Sequence, residues 1–294
     1  MTSPAVSRAP AVLALVFNAF TWGVSWWPFR RFDALGLHPL WMTALTYSVA
    51  VILLLATRPA AVIEVARHPA LWVLVLASGT TNAAFNWGVT VGDVVRVVLL
   101  FYLMPVWAVL LARPLLGERI GPRALARMAL ALTGAMVVLW PTAGPASSSP
   151  LGWPDALALL GGFSFALNNV MLRRESARSE PARALAMFGG GTVVSLVLAA
   201  SLTAAGVVAP LPAAAPGWLA GAAALALWFL AANLALQYGA ARLSAHTTAV
   251  VMLTEVAFAS ASAVALGAGA LDVRTAAGGA LIVLAAALAA WQSD

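Results

Sequence analysis

The chain has 294 residues, 63% of them hydrophobic and only 9% charged, with a formal net charge of +6 and a mean hydropathy of +0.94. A water-soluble domain of that length cannot hide so much apolar surface, so composition alone points to a membrane protein. The base is all arginine, with no lysine, and it sits in connections between apolar stretches, which argues against nucleic acid as a partner; the absence of cysteine excludes disulfides and thiolate metal sites.

Ten apolar stretches follow in chain order, at 10–29, 39–57, 69–91, 94–112, 122–140, 154–172, 184–205, 216–238, 246–267 and 275–291. Each is near the ~20 residues that cross about 30 Å of hydrocarbon as a helix. The first runs straight into Trp26, Trp27 and Arg30 with no small-residue cleavage site, so it reads as a retained helix and not a signal peptide. Arg30 and Arg31 follow that apolar run instead of preceding it, which excludes a twin-arginine export signal. The fourth and fifth stretches carry Arg96 and Arg127 inside their nominal ends, where long side chains snorkel to the interface. Between the fifth and sixth, Thr142 to Pro150 has the Gly/Pro/Ser composition of a flexible linker.

Counting arginines in alternate connections orients the chain. With the N-terminus cytoplasmic, twelve arginines fall on the inside and four on the outside. The positive-inside rule therefore predicts both termini in the cytoplasm.

The ten stretches divide into residues 1–141, a linker over 142–153, and residues 154–294. Five spans is an odd number, so two copies of the unit thread a bilayer in opposite senses and form an inverted repeat with a cavity between the halves. The sequence supports the duplication. Phe20, Trp22, Ser25, Arg30 and Arg31 align with Phe163, Phe165, Asn168, Arg173 and Arg174 at a constant offset of 143. Leu103-Met104-Pro105-Val106 faces Leu253-Thr254-Glu255-Val256, and the run from Gly134 to Leu139 matches that from Gly279 to Leu284. Conserved order across both halves carries more weight than any one of these matches.

With its ten spans, a Met-Pro-Val at 104–106, Leu116-Gly117-Glu118-Arg119 just beyond, and Glu255-Val256 at the equivalent place in the second half, the whole chain resembles the drug/metabolite transporter superfamily in its EamA-type branch. Within that branch it is most similar to aromatic amino-acid exporters of the YddG type. One departure is Ala268, which stands where the second copy of the Glu118 acid is expected. The resemblance implies a multi-pass protein of the bacterial inner membrane, with helices forming a basket around a cavity lined mostly by spans 1, 3, 4, 6, 8 and 9, and export by alternating access.

Polar residues at membrane depth fall on those same spans, where burial is costly and such groups face partners or water. Asn18, Trp22 and Ser25 share a face of span 1, Asn82 and Asn86 a face of span 3, and Asn233 and Gln237 a face of span 8; Asn168 lies on span 6. Helix-to-helix bonding explains any one amide as well as a cavity does. Spans 2, 5, 7 and 10 carry fewer such groups and read as a lipid-facing scaffold. Glu255 is the lone acid deep in a span, with Thr248 and Ser262 one face-repeat to either side. Proton coupling, pairing with a substrate ammonium and a structural hydrogen bond remain open as its roles.

Of the twelve tryptophans, Trp41, Trp72, Trp140, Trp153, Trp218 and Trp291 lie near span ends, where an interfacial belt accounts for them. Trp22, Trp107 and Trp228 lie nearer mid-span, with Phe165 and Tyr102, where they either pack between helices or offer ring faces to a substrate. Glycines at 189–191, 217, 221, 267, 269, 278 and 279 read as points of close helix approach.

No His-Glu-x-x-His, Gly-x-Ser-x-Gly or deep acid pair is present, and His38, His68 and His246 all lie near span ends, so the chain does not read as an enzyme and calls for no metal or cofactor. The repeated ring of carbonyls or charges expected of a channel is also missing. The expected function is secondary export of aromatic or other large neutral amino acids and related small metabolites, with protons as a possible coupling ion. Export of cationic drugs or other metabolites, and uncoupled facilitation, are the alternatives. The candidate substrate-binding residues are Trp22, Ser25, Asn82, Asn86, Tyr102, Phe165, Asn168, Asn233, Gln237 and Glu255.

Overall fold

A computed structural model describes residues 9–117, 121–139, 152–240, 242, 251–252, 254–269 and 271–291. Among these residues there is helix and no strand. The helices are α1 (Ala9–Val24), α2 (Trp26–Ala34), α3 (Pro39–Thr57), α4 (Ala60–Arg67), α5 (Pro69–Val91), α6 (Val94–Phe101), α7 (Met104–Leu116), α8 (Pro122–Leu139), α9 (Trp153–Arg174), α10 (Glu180–Ala204), α11 (Pro216–Ala240), α12 (Thr254–Ala265) and α13 (Val273–Trp291). Most of the linker, Glu118, Arg119, His246 and Thr248 lie outside the described residues.

Local chemistry sets the helix ends. His38 accepts from the Leu40 amide and is followed by Pro39 in the first turn of α3; Asp93 caps α6 by accepting from the Arg96 amide; Ser179 caps α10 through the Ala182 amide. At the far end of α7, Gly117 takes the left-handed conformation at φ 73°, which costs a glycine no Cβ clash.

Among the described residues, six segments are long and apolar enough to cross a membrane, and α4 with α5 makes a seventh candidate bent by 101°. The remaining three expected spans correspond to shorter apolar helices, at Leu125–Val138, Thr254–Ala265 and Val273–Ala285. The chain is therefore multi-pass. Large apolar side chains such as Leu13, Ile52, Val197 and Leu227 point outward, as suits a hydrocarbon solvent that satisfies no backbone polar group and leaves helices the viable element.

The centre of the bundle is α5, packed between α9 and α10, while α1 packs on α11 and α12, and α8 pairs with α13. Lipid supplies little hydrophobic drive between helices, so close backbone approach matters. A Cβ at Gly190 would lie 2.1 Å from the Val75 carbonyl oxygen, and one at Gly79 would lie 2.4 Å from the Gly190 carbonyl oxygen. The expected glycine contacts are uneven. Gly191, Gly221, Gly269, Gly278 and Gly279 face neighbours closely, whereas nothing lies near Gly189, Gly217 or Gly267.

Because α5 and α9 run antiparallel, they define two ends. At one, Gly92 meets Pro154 and Arg96 forms a two-pronged ion pair with Asp155, at 2.7 Å and 2.9 Å. At the other, Arg178 Nη1 lies 2.8 Å from His68 Nε2, and both the amide and the hydroxyl of Ser179 donate to Glu64.

Candidate functional site

The site begins with a break in a helix. Proline at 105 lacks the amide that would continue the hydrogen-bond ladder, and α6 stops at Phe101, with Tyr102 and Leu103 forming a turn before α7 starts. The turn is internally satisfied: the amides of Tyr102, Leu103 and Val106 donate to the carbonyls of Val98, Leu100 and Leu103. It directs the Tyr102 side chain inward, where its hydroxyl donates to Glu255 Oε2 at 3.0 Å. Both residues are buried. That bond links the interrupted α6–α7 segment to α12.

Around this pair lies a cavity of about 470 Å³, within the range of small-molecule sites. Trp22, Phe85, Phe101 and Phe165 supply its aromatic wall. The rings support one another: Trp22 packs on Phe229 at 4.8 Å between centroids, and Phe101 on Phe85 at 4.8 Å and Phe165 at 5.5 Å. Asn18, Asn82, Asn168, Asn169 and Asn233 are among its polar residues, with Ser78 and Thr81. Glu255 is the one charged residue in the described lining.

Of the ten candidate residues, seven line this cavity: Trp22, Asn82, Tyr102, Phe165, Asn168, Asn233 and Glu255. Ser25 is turned away; its hydroxyl donates to the Trp22 carbonyl where α1 gives way to α2. Asn86 is buried against α3 and donates to Thr43 Oγ1 at 3.0 Å. The Gln237 side chain lies outside what is described. The mid-span tryptophans separate in the same way. Trp107 packs against Phe163, and Trp228 is 43% exposed, with its indole N–H on Thr21 Oγ1; neither reaches the cavity.

The lining also includes residues that the sequence reading passed over. Tyr47 on α3 and Met187 and Phe188 on α10 face the cavity, so spans 2 and 7 are not purely lipid-facing as expected. Tyr47 reaches Asn82 Oδ1 at 2.5 Å. A phenol at mid-span was the available signal for Tyr47; no polar residue within three positions marks the inward position of Met187 or Phe188. No cluster of ligating side chains suited to a metal ion occurs among the described residues.

The EamA-like transporter family model matches residues 9–140, so that stretch is similar to proteins of that family. Proteins of this family are membrane transporters of small molecules and not enzymes. No curated protein matches the chain. Thirteen chains of solved structures do; one, a crystal structure described only as that of a protein, is 20% identical, is covered over 96% of this chain and 97% of its own, and has a TM-score of 0.54. That likeness concerns the fold, and it extends over both halves of the chain.

Proposed function

We propose that the protein is a secondary transporter that exports aromatic or other large neutral amino acids and related small metabolites across a bacterial inner membrane. On this reading it has ten spans in two inverted five-helix repeats, 1–141 and 154–294, joined by a linker over 142–153, with both termini cytoplasmic. Rocking of the halves alternately exposes the cavity to the two sides.

The observation that carries the reading is the aromatic-walled cavity at the Tyr102–Glu255 contact, where an interrupted helix from residues 1–141 meets one from residues 154–294. Its rings suit a flat apolar body, and its amides suit a polar head. Contacts at both ends of α5 and α9 fit a rocking motion, because each must open in turn for a solute to pass. The likeness to aromatic amino-acid exporters of the YddG type agrees with the ring-lined wall.

Purified protein in vesicles is expected to take up labelled Phe or Trp faster than empty vesicles, and Glu255→Gln is expected to change the pH dependence of that uptake. Equal flux in loaded and empty vesicles would remove the substrate assignment. A proton-insensitive flux abolished by Trp22→Ala would instead indicate uncoupled facilitation.

A further inference from the structure

We infer that the short helix α4 lies in the membrane surface with Val62, Ile63 and Ala66 among the acyl chains, and that Arg58 and Arg67, at its two ends, hold the phosphate of an anionic phospholipid of the phosphatidylglycerol type. The inference needs only a membrane-spanning chain and is independent of what the protein carries.

The chain turns sharply to make this helix. Arg58 ends α3 by donating its amide to the Leu54 carbonyl at 2.7 Å, and its own carbonyl accepts from the Ala61 amide at 3.0 Å. The helix that follows, Ala60–Arg67, has eight residues and is about 12 Å long. It meets α5 at 101°. A helix set nearly square to a span runs along the membrane surface and not through it.

The circumference of α4 divides by chemistry. Ala61 and Val65, one turn apart, are buried in the apolar cluster that includes Leu71, Leu74 and Leu185. On one side of that stripe, both carboxylate oxygens of Glu64 accept from Ser179, one from its amide and one from its hydroxyl. On the other side are Val62 and Ala66, and opposite the stripe are Ile63 and Arg67; all four are exposed. Val62 is 44% and Ile63 54% exposed, and Ile52, Leu53 and Leu55 near the end of α3 face outward as well. Apolar side chains flanked by arginine are the pattern of a helix bedded between headgroups and acyl chains.

Charge then selects the lipid. The Arg58 and Arg67 side chains are exposed and form no hydrogen bond or ion pair among the described residues. Glu64 is the one acid between them in the sequence, and Ser179 occupies both of its oxygens. A guanidinium matches a phosphate with paired N–H donors. In phosphatidylethanolamine or phosphatidylcholine the phosphate is followed by a cation, for which α4 has no unengaged carboxylate; phosphatidylglycerol presents the phosphate without that cation. An arginine at the membrane surface favours an anionic lipid by about fivefold, and two by on the order of 25-fold. A headgroup that holds α4 also keeps Glu64 where it meets Ser179, so the lipid supports the contact between α4 and α10.

The chain has no cysteine, so Ile63→Cys gives the full-length protein a single site for a fluorescent NBD label. The labelled protein is placed in phosphatidylcholine vesicles, and quenching is followed as phosphatidylglycerol or phosphatidylcholine carrying a nitroxide near the headgroup is added in rising proportion. The inference expects both lipids to quench, with half-maximal quenching at roughly tenfold less phosphatidylglycerol than phosphatidylcholine. Arg58→Gln with Arg67→Gln should bring the two curves together, whereas Arg113→Gln with Arg123→Gln, which removes the same charge from exposed positions on α7 and α8, should leave them apart. If the first pair does not fold, salt at about 1 M, which shortens electrostatic reach to ~3 Å, should merge the curves of the labelled protein instead. No quenching by either lipid, equal quenching by both, or an equal loss of preference in the Arg113/Arg123 pair overturns the inference. None of these outcomes bears on the transporter reading.

Discussion

The two ends of the α5–α9 pair are joined by different chemistry. Where α5 finishes, Arg96 and the largely buried Asp155 form a two-pronged ion pair, Asp155 also accepts from the Gly152 amide, and Arg96 reaches the Val138 carbonyl of α8. Three helices therefore share one charged knot, sealed by close contact between Gly92 and Pro154. Where α5 begins, the joining groups are more exposed: Glu64 holds Ser179, and Arg178 meets His68. His68 Nδ1 faces the Glu64 carbonyl oxygen at 2.7 Å, which assigns the ring proton to Nδ1 and leaves Nε2 to accept from Arg178. A buried charge pair is costly to break one partner at a time, whereas exposed polar links are exchanged for water at little cost. If the halves rock, the second end yields first.

The strongest way to break this contrast is at the charged knot. Asp155→Ala strands the Arg96 guanidinium and is expected to lower stability by about 3 kcal/mol, read as a drop in Tm in detergent. The double replacement Arg96→Met with Asp155→Leu should recover most of the loss; a double variant as unstable as the single one would show that the pair is not the source. At the opposite end, Ser179→Ala removes both the α10 cap and a bond to Glu64, and about 1 kcal/mol is expected. Glu64→Gln, on an exposed side chain, should shift Tm less than Ser179→Ala does. An effect larger than that of Asp155→Ala would reverse the assignment of strong and weak ends.

The smallest effect sharpens the first end by pH. His38 caps α3 and packs edge-on against Trp87, which in turn packs on Trp153. Burial pushes the His38 imidazole down to about 4 from its ordinary 6.5. The folded state thus binds the proton less well than the unfolded chain does. Its stability contribution is fully present above pH 6.5 and is lost as pH falls through 4. A Tm profile from pH 7 to 4 should be flatter in His38→Asn, which keeps a capping acceptor without the titration. Parallel profiles for the two proteins would remove His38 as the source.

How much of this was legible in the sequence depends on whether polarity distinguished one helix face from another. Glu255, Asn82 and Tyr102 stood out because a polar group at depth has few reasons to be there. Asn82 and Asn86 do share a face toward α3, bonding to Tyr47 and Thr43 respectively, yet only Asn82 reaches the cavity. Spacing along a helix places a side chain on a face and does not say how far along it a void extends. Phe188 was illegible for another reason: in a lipid-embedded helix both faces are apolar, so the amphipathic contrast that reveals a core in water is absent. The 101° bend between α4 and α5 was likewise missed, since Pro69 reads equally as the start of a helix and as a kink.

The Tyr102 hydroxyl works as a tether as well as a piece of wall. It fastens the turn between α6 and α7 to the Glu255 carboxylate. On the proposed reading, a guest that claims the same carboxylate competes with the tether and frees the turn between α6 and α7 from α12. Occupancy and helix compliance would then share one oxygen pair, and a solute too small to displace the phenol would leave the tether in place.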